Sequence, residues 1–407
     1  MTVLVSILGL AFLILVHEAG HFFTAIAVGM RPRKFYIGFP PALAKVRRNG
    51  IEYGIGAIPL GGYVRIPGMH RPAPKDVEVN FALALREAPE LQEAVAAVER
   101  RLEAGDEAGA RATREALATR LETVNLTRAA RKSAERGLRD LEESLGPDAY
   151  WRQRTWKRIA VIFAGPGVNI VVAIVLLAAV YVLGVPSTTR TVDAVQQGRP
   201  AAVAGLRAGD TIVGINGKPT PTFESVRAGI QASHGRPITI TVDRGGRVLT
   251  LRPARPIKVG TGYIFGFIAR AAIRQYGVAS ALRMGFGDCW QAIKGTGLAI
   301  QGLFHKQTRG QLTSTVGIVR LSSQALKVSI AAYVQILGLI SLSLALLNLL
   351  PLLPLDGGHI LFSVIEGVRR RAVAREVYER ASVIGFALLM LVFFIALSND
   401  LHGRTPG

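Results

Sequence analysis

The first residues with chemistry to offer lie near the start of the chain, in the sequence His17-Glu18-Ala-Gly-His21. Two histidines four positions apart project from one face of a helix, because four steps of 100° return to within about 40° of the start. Both imidazoles can then bind one Zn²⁺, and the glutamate beside them can act on water at the metal. The spacing predicts His17 and His21 as metal ligands and Glu18 as the catalytic residue.

The position of this motif adds to its weight, since three fixed residues in five occur by chance in many chains. The motif lies inside an apolar run from Val3 to Val28, where ionisable groups are costly unless they have a function. Four runs approach the ~20 residues that cross a bilayer. They are residues 3–28, 159–184, 329–350 and 381–397. No basic region precedes the first run, so we expect it to be a span and not a removed leader. The sequence predicts a polytopic α-helical membrane protein with about four transmembrane helices.

The distribution of basic residues predicts the topology. The net charge is +21, and arginine and lysine concentrate next to the membrane in segments 31–157 and 353–380. The positive-inside rule puts these segments in the cytoplasm and both termini outside. His21 is closer to Arg31 than to Met1, so the motif lies toward the cytoplasm. The basic excess is then a topology signal, and we expect no nucleic-acid partner.

A second polar cluster interrupts the third apolar run, from Asn348 through two prolines to Asp356-Gly-Gly-His359. Catalytic zinc takes three protein ligands and keeps one position open for water. Asp356 is the predicted third ligand, since the prolines and glycines would unwind the span and let its carboxylate turn toward the metal. Irregular backbone at this depth must be buried in protein or line a wet cavity. His359 is expected to support the ligands without binding the metal.

Residues 51–66 alternate as a glycine-rich β-hairpin, with Pro-Leu-Gly-Gly at 59–62 as its turn. One interpretation is a structural hairpin. The other is an open strand edge that pairs with an extended peptide, which makes Tyr53, Gly54, Ile55 and Gly56 candidate substrate-binding residues. The pattern leaves both open.

Two further regions have a soluble character. Residues 77–145 carry leucines and valines at helical spacing among many charges, with a break at Gly105-Asp106, which predicts a coiled-coil-like helical hairpin in the cytoplasm. The stretch AAVAGLRAGDTIVGINGKP from Ala201 resembles a bacterial PDZ domain, and residues 262–267 look like its ligand loop in circularly permuted order. Such domains bind peptides by strand addition.

Taken together, HEAGH, NLLPLLPLDGG, PLGGYV, FAGPGVN, the PDZ-like region and STVGI at 314–318 resemble the bacterial site-2 protease family, in its regulator-of-sigma-E protease group. The resemblance covers nearly the whole chain except the 77–145 insertion. It implies an intramembrane zinc metalloprotease with one Zn²⁺ on His17, His21 and Asp356, with Glu18 as catalytic residue and Asn348 contacting substrate.

The same resemblance implies the substrates and the setting. They are single-pass transmembrane proteins, such as anti-sigma factors and remnant signal peptides, that an upstream site-1-type protease has already trimmed. Cleavage would take place within the lipid of the inner (cytoplasmic) membrane, with the PDZ domain outside the cytoplasm.

The predicted organisation follows the chain order. It comprises transmembrane helix one (1–30), a membrane-associated hairpin region (31–70), the charged helical insertion (71–150), helix two (157–185), the PDZ domain (186–270), an amphipathic extracytoplasmic linker (271–327), helix three with the Leu-Asp-Gly motif (328–358), a cytoplasmic loop (359–380), helix four (381–398) and a tail (399–407).

Two other functions are weighed against proteolysis. A catalytically inactive PDZ membrane scaffold would be expected to lose a ligand or the glutamate, and all four are present. An ion or proton transporter also buries ionisable residues in the membrane, but the spans show no inverted repeat.

Overall fold

The computed structural model describes residues 1–302 and 314–401. The chain forms two compact units, one built from Met1–Leu177 together with the chain from Gly285 onward, and the other from Ala178–Met284. In the described ranges four helices are long and apolar enough to cross a membrane. They are α1 (Thr2–Ala27), α6 (Thr155–Leu183), α11 (Ile330–Asn348) and α13 (Arg375–Leu401). The protein is thus a helical membrane protein that also carries β structure.

The third predicted transmembrane helix, 328–358, is not one continuous helix. Helix α11 ends at Asn348, and after two prolines helix α12 (Asp356–Arg369) begins. The segment expected as a loop, 359–380, is therefore mostly helical, because α12 and the first turns of α13 fill it. The break lies between the two halves of the polar cluster and turns Asp356 into the first residue of a new helix.

Helix α6 continues through Pro166, although glycine and proline at Gly165-Pro166-Gly167 disfavour an uninterrupted helix. A proline inside a helix removes one backbone hydrogen bond and clashes with the preceding turn. Transmembrane helices tolerate proline because neighbouring helices can satisfy the backbone groups that it leaves without partners. Gly165 instead allows α6 to pack closely against α1, because a Cβ at this position would overlap the ring of His21.

The glycine-rich segment forms two long strands, β1 (Lys34–Arg48) and β2 (Ile51–Arg65). Their turn is Asn49-Gly50, where both residues have positive φ (51° and 79°), as a type I′ hairpin turn demands. The prediction of a turn at 59–62 was wrong, since these residues lie within β2. The signal for the true turn was the Asn-Gly pair itself.

The start of β1 lies between two parts of β2, because Phe35 is paired with both Tyr53 and Val64. The second half of β1 pairs with the beginning of β2, with Val46 opposite Tyr53. Residues 52–55 therefore have neighbours on both sides, whereas 62–65 pair with β1 on one side.

The charged insertion folds as four helices rather than as one hairpin. They are α2 (Pro74–Glu87), α3 (Gln92–Glu103), α4 (Glu107–Thr123) and α5 (Arg128–Leu145). Pro89 cannot continue a helix, and the extended Val124 ends α4, so each predicted arm is divided. The four helices share one apolar core, which includes Phe81, Leu91, Val95, Leu117 and Leu138.

The unit Ala178–Met284 contains a sheet in the order β10-β3-β4-β6-β7, with β5 paired to β4, and a separate β8–β9 hairpin. The strands are β3 (Val185–Val195), β4 (Thr211–Ile215), β5 (Lys218–Pro219), β6 (Ile240–Arg244), β7 (Arg247–Thr250), β8 (Ile257–Val259), β9 (Gly262–Ile264) and β10 (Phe267–Arg274). Helices α7 (Pro200–Ala204) and α8 (Phe223–Ala232) belong to the same unit. Val226 and Ile230 of α8 pack with strand residues in a common core.

Two helices occupy most of the expected amphipathic linker, α9 (Val278–Gly302) and α10 (Thr315–Val328). On α9, Val278, Leu282, Phe286 and Trp290 are exposed at four-residue spacing, which forms one apolar stripe. The part of this prediction at 303–313, like the end of the predicted tail at 402–407, lies outside the described residues.

Candidate metal centre

Three predicted ligands from two distant parts of the chain meet at one point. The Nε2 atoms of His17 and His21 lie 3.3 Å apart, and the Oδ2 atom of Asp356 lies 3.3 Å from the first and 3.4 Å from the second. This is the one cluster of three or more metal-ligand side chains in the described part of the chain. The helix spacing supplies the two imidazoles, and the new helix start supplies the carboxylate.

The backbone of α6 orients His21. Its Nδ1 donates to the carbonyl oxygen of Val161 over 2.8 Å, which leaves Nε2 to face the other two donors. A Cβ at Gly165 would overlap the ring of His21, and a Cβ at Gly20 would lie 2.6 Å from the carbonyl oxygen of Ala164. Glycine on both helices lets α1 and α6 approach closely enough for this hydrogen bond.

The glycines after Asp356 have a similar reason. A Cβ at Gly357 would overlap the carbonyl groups of Leu349 and Leu350, and one at Gly358 would lie 2.5 Å from the backbone nitrogen of Leu353. The irregular segment between α11 and α12 thus folds back against the first turn of α12. The Asp-Gly-Gly sequence is required for this close return, which places the carboxylate at the histidines.

Glu18 lies against the last part of β2. A Cβ at Gly62 would come within 2.8 Å of Glu18 Cγ and 2.7 Å of the carbonyl oxygen of Tyr36, so only glycine leaves room for the glutamate side chain. The backbone N–H of Val64 also lies near its carboxylate. The strand thereby positions Glu18 beside the ligand cluster.

A cavity of about 590 Å³ connects these groups. It is lined by the three ligands, Glu18, Asn348 at the end of α11, His359 on α12, and residues 61–64 of β2. The Nδ1 of His359 contacts the hydroxyl of Tyr378, and burial lowers the pKa of His359 to about 4, so its ring is neutral at pH 7. His359 thus stands beside the cluster and is held from α13.

The structure does not bring the candidate substrate-binding residues 53–56 to this cavity. Residues 53–55 are paired with β1 on both sides and so have no open edge, while Gly56 is paired with Ala42 only. Gly54 has a packing role instead, because a Cβ there would overlap the Tyr36 ring. Of the hairpin glycines, Gly61 and Gly62 line the cavity. The part of β2 that lines the cavity is 61–64. A turn at 59–62 would have directed these residues away from the site.

The donor set fits a zinc ion. Three corners of a tetrahedron with metal–ligand bonds of about 2.0–2.1 Å are about 3.3–3.4 Å apart, which is the spacing of the two Nε2 atoms and Asp356 Oδ2. That oxygen is buried and has no hydrogen-bond partner among the described residues, although it lies close to both nitrogens. A buried carboxylate oxygen without a partner is costly, and a cation at the centre of the three donors removes that cost.

Comparison with known proteins decides the family. The model of the family described as "Peptidase family M50" matches residues 5–392. The chain belongs to peptidase family M50. It is similar to the "Putative zinc metalloprotease" of Agrobacterium fabrum, with 29% identity over 97% of this chain and 94% of the relative. It is also similar to zinc metalloprotease Rip1 of Mycobacterium tuberculosis, with 27% identity over 94% and 89%.

This M50 peptidase is therefore a zinc metalloprotease of the site-2 type, a family that acts on membrane protein substrates. A Lactococcus lactis relative, also named as a putative zinc metalloprotease, is 27% identical over 98% of each chain. These matches cover the regions on both sides of the helical insertion, and so include both halves of the ligand cluster.

Proposed function

We propose that this M50 peptidase cleaves transmembrane segments of single-pass membrane proteins, with one Zn²⁺ per chain held by His17, His21 and Asp356. The observation that carries the proposal is the meeting of the three donors, 3.3–3.4 Å apart, with Glu18 beside them in one cavity formed from helices of membrane-spanning length. When bound, zinc would polarise the scissile carbonyl and make water a better nucleophile near neutral pH.

Glu18 is the general base and acid of this mechanism. Its carboxylate would accept a proton from the attacking water and later give it to the leaving amine. The backbone of β2 at Gly62 and Val64 lies against this side chain and limits where the carboxylate can lie. Asn348 lines the same cavity and is suited to hold the substrate carbonyl through its side-chain N–H groups.

Unwinding of the substrate is the remaining requirement, because a transmembrane helix has its own backbone hydrogen bonds satisfied. Residues 62–65 pair with β1 on one side, and residues 62–64 lie in the cavity wall. An unwound substrate segment that adds to this part of β2 would regain main-chain hydrogen bonds. This assigns to 62–65 the role that the sequence pattern suggested for 53–56.

Substrate choice is proposed from the family resemblance. Anti-sigma factors and remnant signal peptides, trimmed by an upstream site-1-type protease, are the expected classes. The unit Ala178–Met284 would act as a PDZ domain outside the cytoplasm and select trimmed substrates, by size or by the new end. The basic segments beside the spans favour an inner-membrane protein with its active site toward the cytoplasm.

The test is Glu18→Gln in lipid vesicles with a single-pass substrate offered in trimmed and untrimmed forms. We expect cleavage of the trimmed form to fall about 10²–10⁴-fold, as loss of a general base does, while elemental analysis still finds one zinc per chain. Wild-type protein should cleave the trimmed form faster. Retained cleavage in the variant refutes the role of Glu18, and zinc-free wild-type protein refutes the metal site.

A further inference from the structure

Asn169 is a buried polar residue that the mechanism has not used. It lies on α6 and is 0% exposed, in a helix that is otherwise strongly apolar. A carboxamide buried without hydrogen bonds costs free energy, so its surroundings should show what compensates for it.

Its contacts lead to the metal site. The Nδ2 atom of Asn169 lies 3.4 Å from Nδ1 of His17, the ring nitrogen opposite the one that faces Asp356. Its Oδ1 atom has no hydrogen-bond partner among the described residues. The backbone carbonyl of Asn169 accepts a hydrogen bond of 2.8 Å from the hydroxyl of Ser341 on α11. Helices α1, α6 and α11 therefore meet at this one residue.

Metal binding fixes which end of the carboxamide can face His17. A histidine that binds through Nε2 carries its proton on Nδ1, which must donate to an acceptor. His21 already follows this rule through the Val161 carbonyl. An amide nitrogen opposite a protonated Nδ1 would place two donors together. Turning the carboxamide by 180° exchanges oxygen and nitrogen within nearly the same shape and gives His17 its acceptor.

We propose that Asn169 is a positioning residue of the metal site, whose carboxamide oxygen accepts the Nδ1 proton of His17 and holds the ring with Nε2 toward Asp356. The inference rests on the proposed role of His17 as a ligand. Helix α6 would then orient both histidines of α1. It would do so through the backbone carbonyl of Val161 for His21 and through the side chain of Asn169 for His17.

The experiment measures metal binding and not only cleavage. The full-length protein is stripped of metal in detergent, and its Zn²⁺ affinity is measured by chelator competition, with the absorption spectrum of bound Co²⁺ as a report of ligand geometry. Asn169→Leu keeps the approximate volume but removes the acceptor, and we expect about 10–100-fold weaker Zn²⁺ binding and an altered Co²⁺ spectrum. Asn169→Asp keeps an acceptor and should bind Zn²⁺ at least as tightly as wild type.

Ser341→Ala is the matched control, because Ser341 is equally buried and contacts the same residue but touches neither histidine. We expect its Zn²⁺ affinity to stay within about threefold of wild type. The inference is overturned if Asn169→Leu binds Zn²⁺ like wild type, or if Ser341→Ala weakens binding as much as Asn169→Leu does.

The aspartate variant decides the direction of the hydrogen bond, and it does so even if the leucine variant does not fold. If Asn169 were a donor to His17, Asn169→Asp would weaken binding, and this result also overturns the inference. Wild-type protein that takes up neither Zn²⁺ nor Co²⁺ would instead refute the metal site itself, so the two failures are distinguishable.

Discussion

The helical insertion and the metal centre each surround a buried core, yet the two cores are held together in opposite ways. The insertion buries aliphatic and aromatic side chains such as Phe81 and Leu117 and pairs its charges at or near the surface, as in Arg101–Asp106. The metal centre buries two imidazoles and a carboxamide, and half-buries a carboxylate. Glycines at its contacts let backbones approach, so shape matters there more than apolar volume.

The two regions should tolerate different kinds of substitution. In an apolar core the cost of a substitution follows the volume removed, because neighbouring side chains relax only in part. At the metal centre the sensitive change is an addition, since one extra carbon displaces a ligand whose position is needed to a fraction of an ångström. Substitutions in the two regions should therefore separate stability from metal binding.

Among these variants, the largest loss of activity is expected from Gly165→Ala. The new Cβ would overlap the His21 ring, so the imidazole must move away from Asp356. We expect cleavage of a model single-pass substrate to fall by about 10²-fold or more, as a displacement of 1 Å can cause, together with weaker zinc retention during purification.

Gly167→Ala is its control on the same helix. A Cβ there meets only the ring of Phe163, at 3.1 Å or more, and that ring can rotate aside. We expect activity within a few-fold of wild type, because no ligand is touched. Equal losses of activity in both variants would show that α6 does not tolerate alanine at either glycine. The loss in Gly165→Ala could then not be assigned to displacement of His21.

Phe81→Ala probes the opposite region. Phe81 is fully buried in the insertion, and its loss should destabilise the four-helix bundle by about 3–5 kcal/mol. Hydrogen exchange of residues 74–145 should accelerate, while zinc content stays at the wild-type level. Val79→Ala on the same helix, at a side chain that is 65% exposed, should change neither. Loss of zinc in Phe81→Ala would mean that the bundle holds the metal site, contrary to this prediction.

The ligand cluster was accessible from the sequence because metal binding imposes local rules. Four-residue spacing places His17 and His21 on one face, and the helix-breaking residues before Asp356 indicate where a carboxylate can turn inward. Apart from His359, the supporting residues were not predicted, since they depend on contacts between distant helices. Asn169, a polar residue in an apolar run, was the visible signal for one of them, while the Val161 carbonyl carries no signal in its side chain.

The sheet shows the limit of sequence reasoning more clearly. Alternation predicts strands but not their partners, because pairing of 34–37 between two parts of β2 joins residues far apart in the chain. The Pro-Leu-Gly-Gly pattern predicts a turn at 59–62, but these residues lie within a strand, and Gly62 leaves space for Glu18. In the insertion the helical periodicity was visible, but the division into four helices depended on breaks at Pro89 and Val124 that the spacing of leucines does not reveal.

A smaller loss of stability than at Phe81 is expected at Asp210, a buried carboxylate that needs no cation. Arg244 donates to both of its oxygens, over 2.7 and 2.8 Å, and the Arg207 backbone N–H donates over 2.8 Å. Asp356, by contrast, keeps an oxygen without a hydrogen bond among the described residues. Asp210→Asn should therefore destabilise the unit Ala178–Met284 by about 1.5–3 kcal/mol and leave zinc content unchanged.

The pH dependence gives a second measurement of the same pair. Burial alone would raise the pKa of Asp210, but the Arg244 guanidinium and the Arg207 amide outweigh it and hold the pKa below its usual value. A carboxyl with a depressed folded-state pKa contributes stability above its unfolded pKa of about 3.9 and loses it as the pH falls through the folded value. Thermal unfolding of the full chain, monitored within residues 178–284, should show this loss in wild type and not in Asp210→Asn. Asp193→Asn, in an exposed pair with Arg270 at 3.5 Å, should cost less than about 1 kcal/mol, and a larger cost there would show that burial is not what distinguishes Asp210.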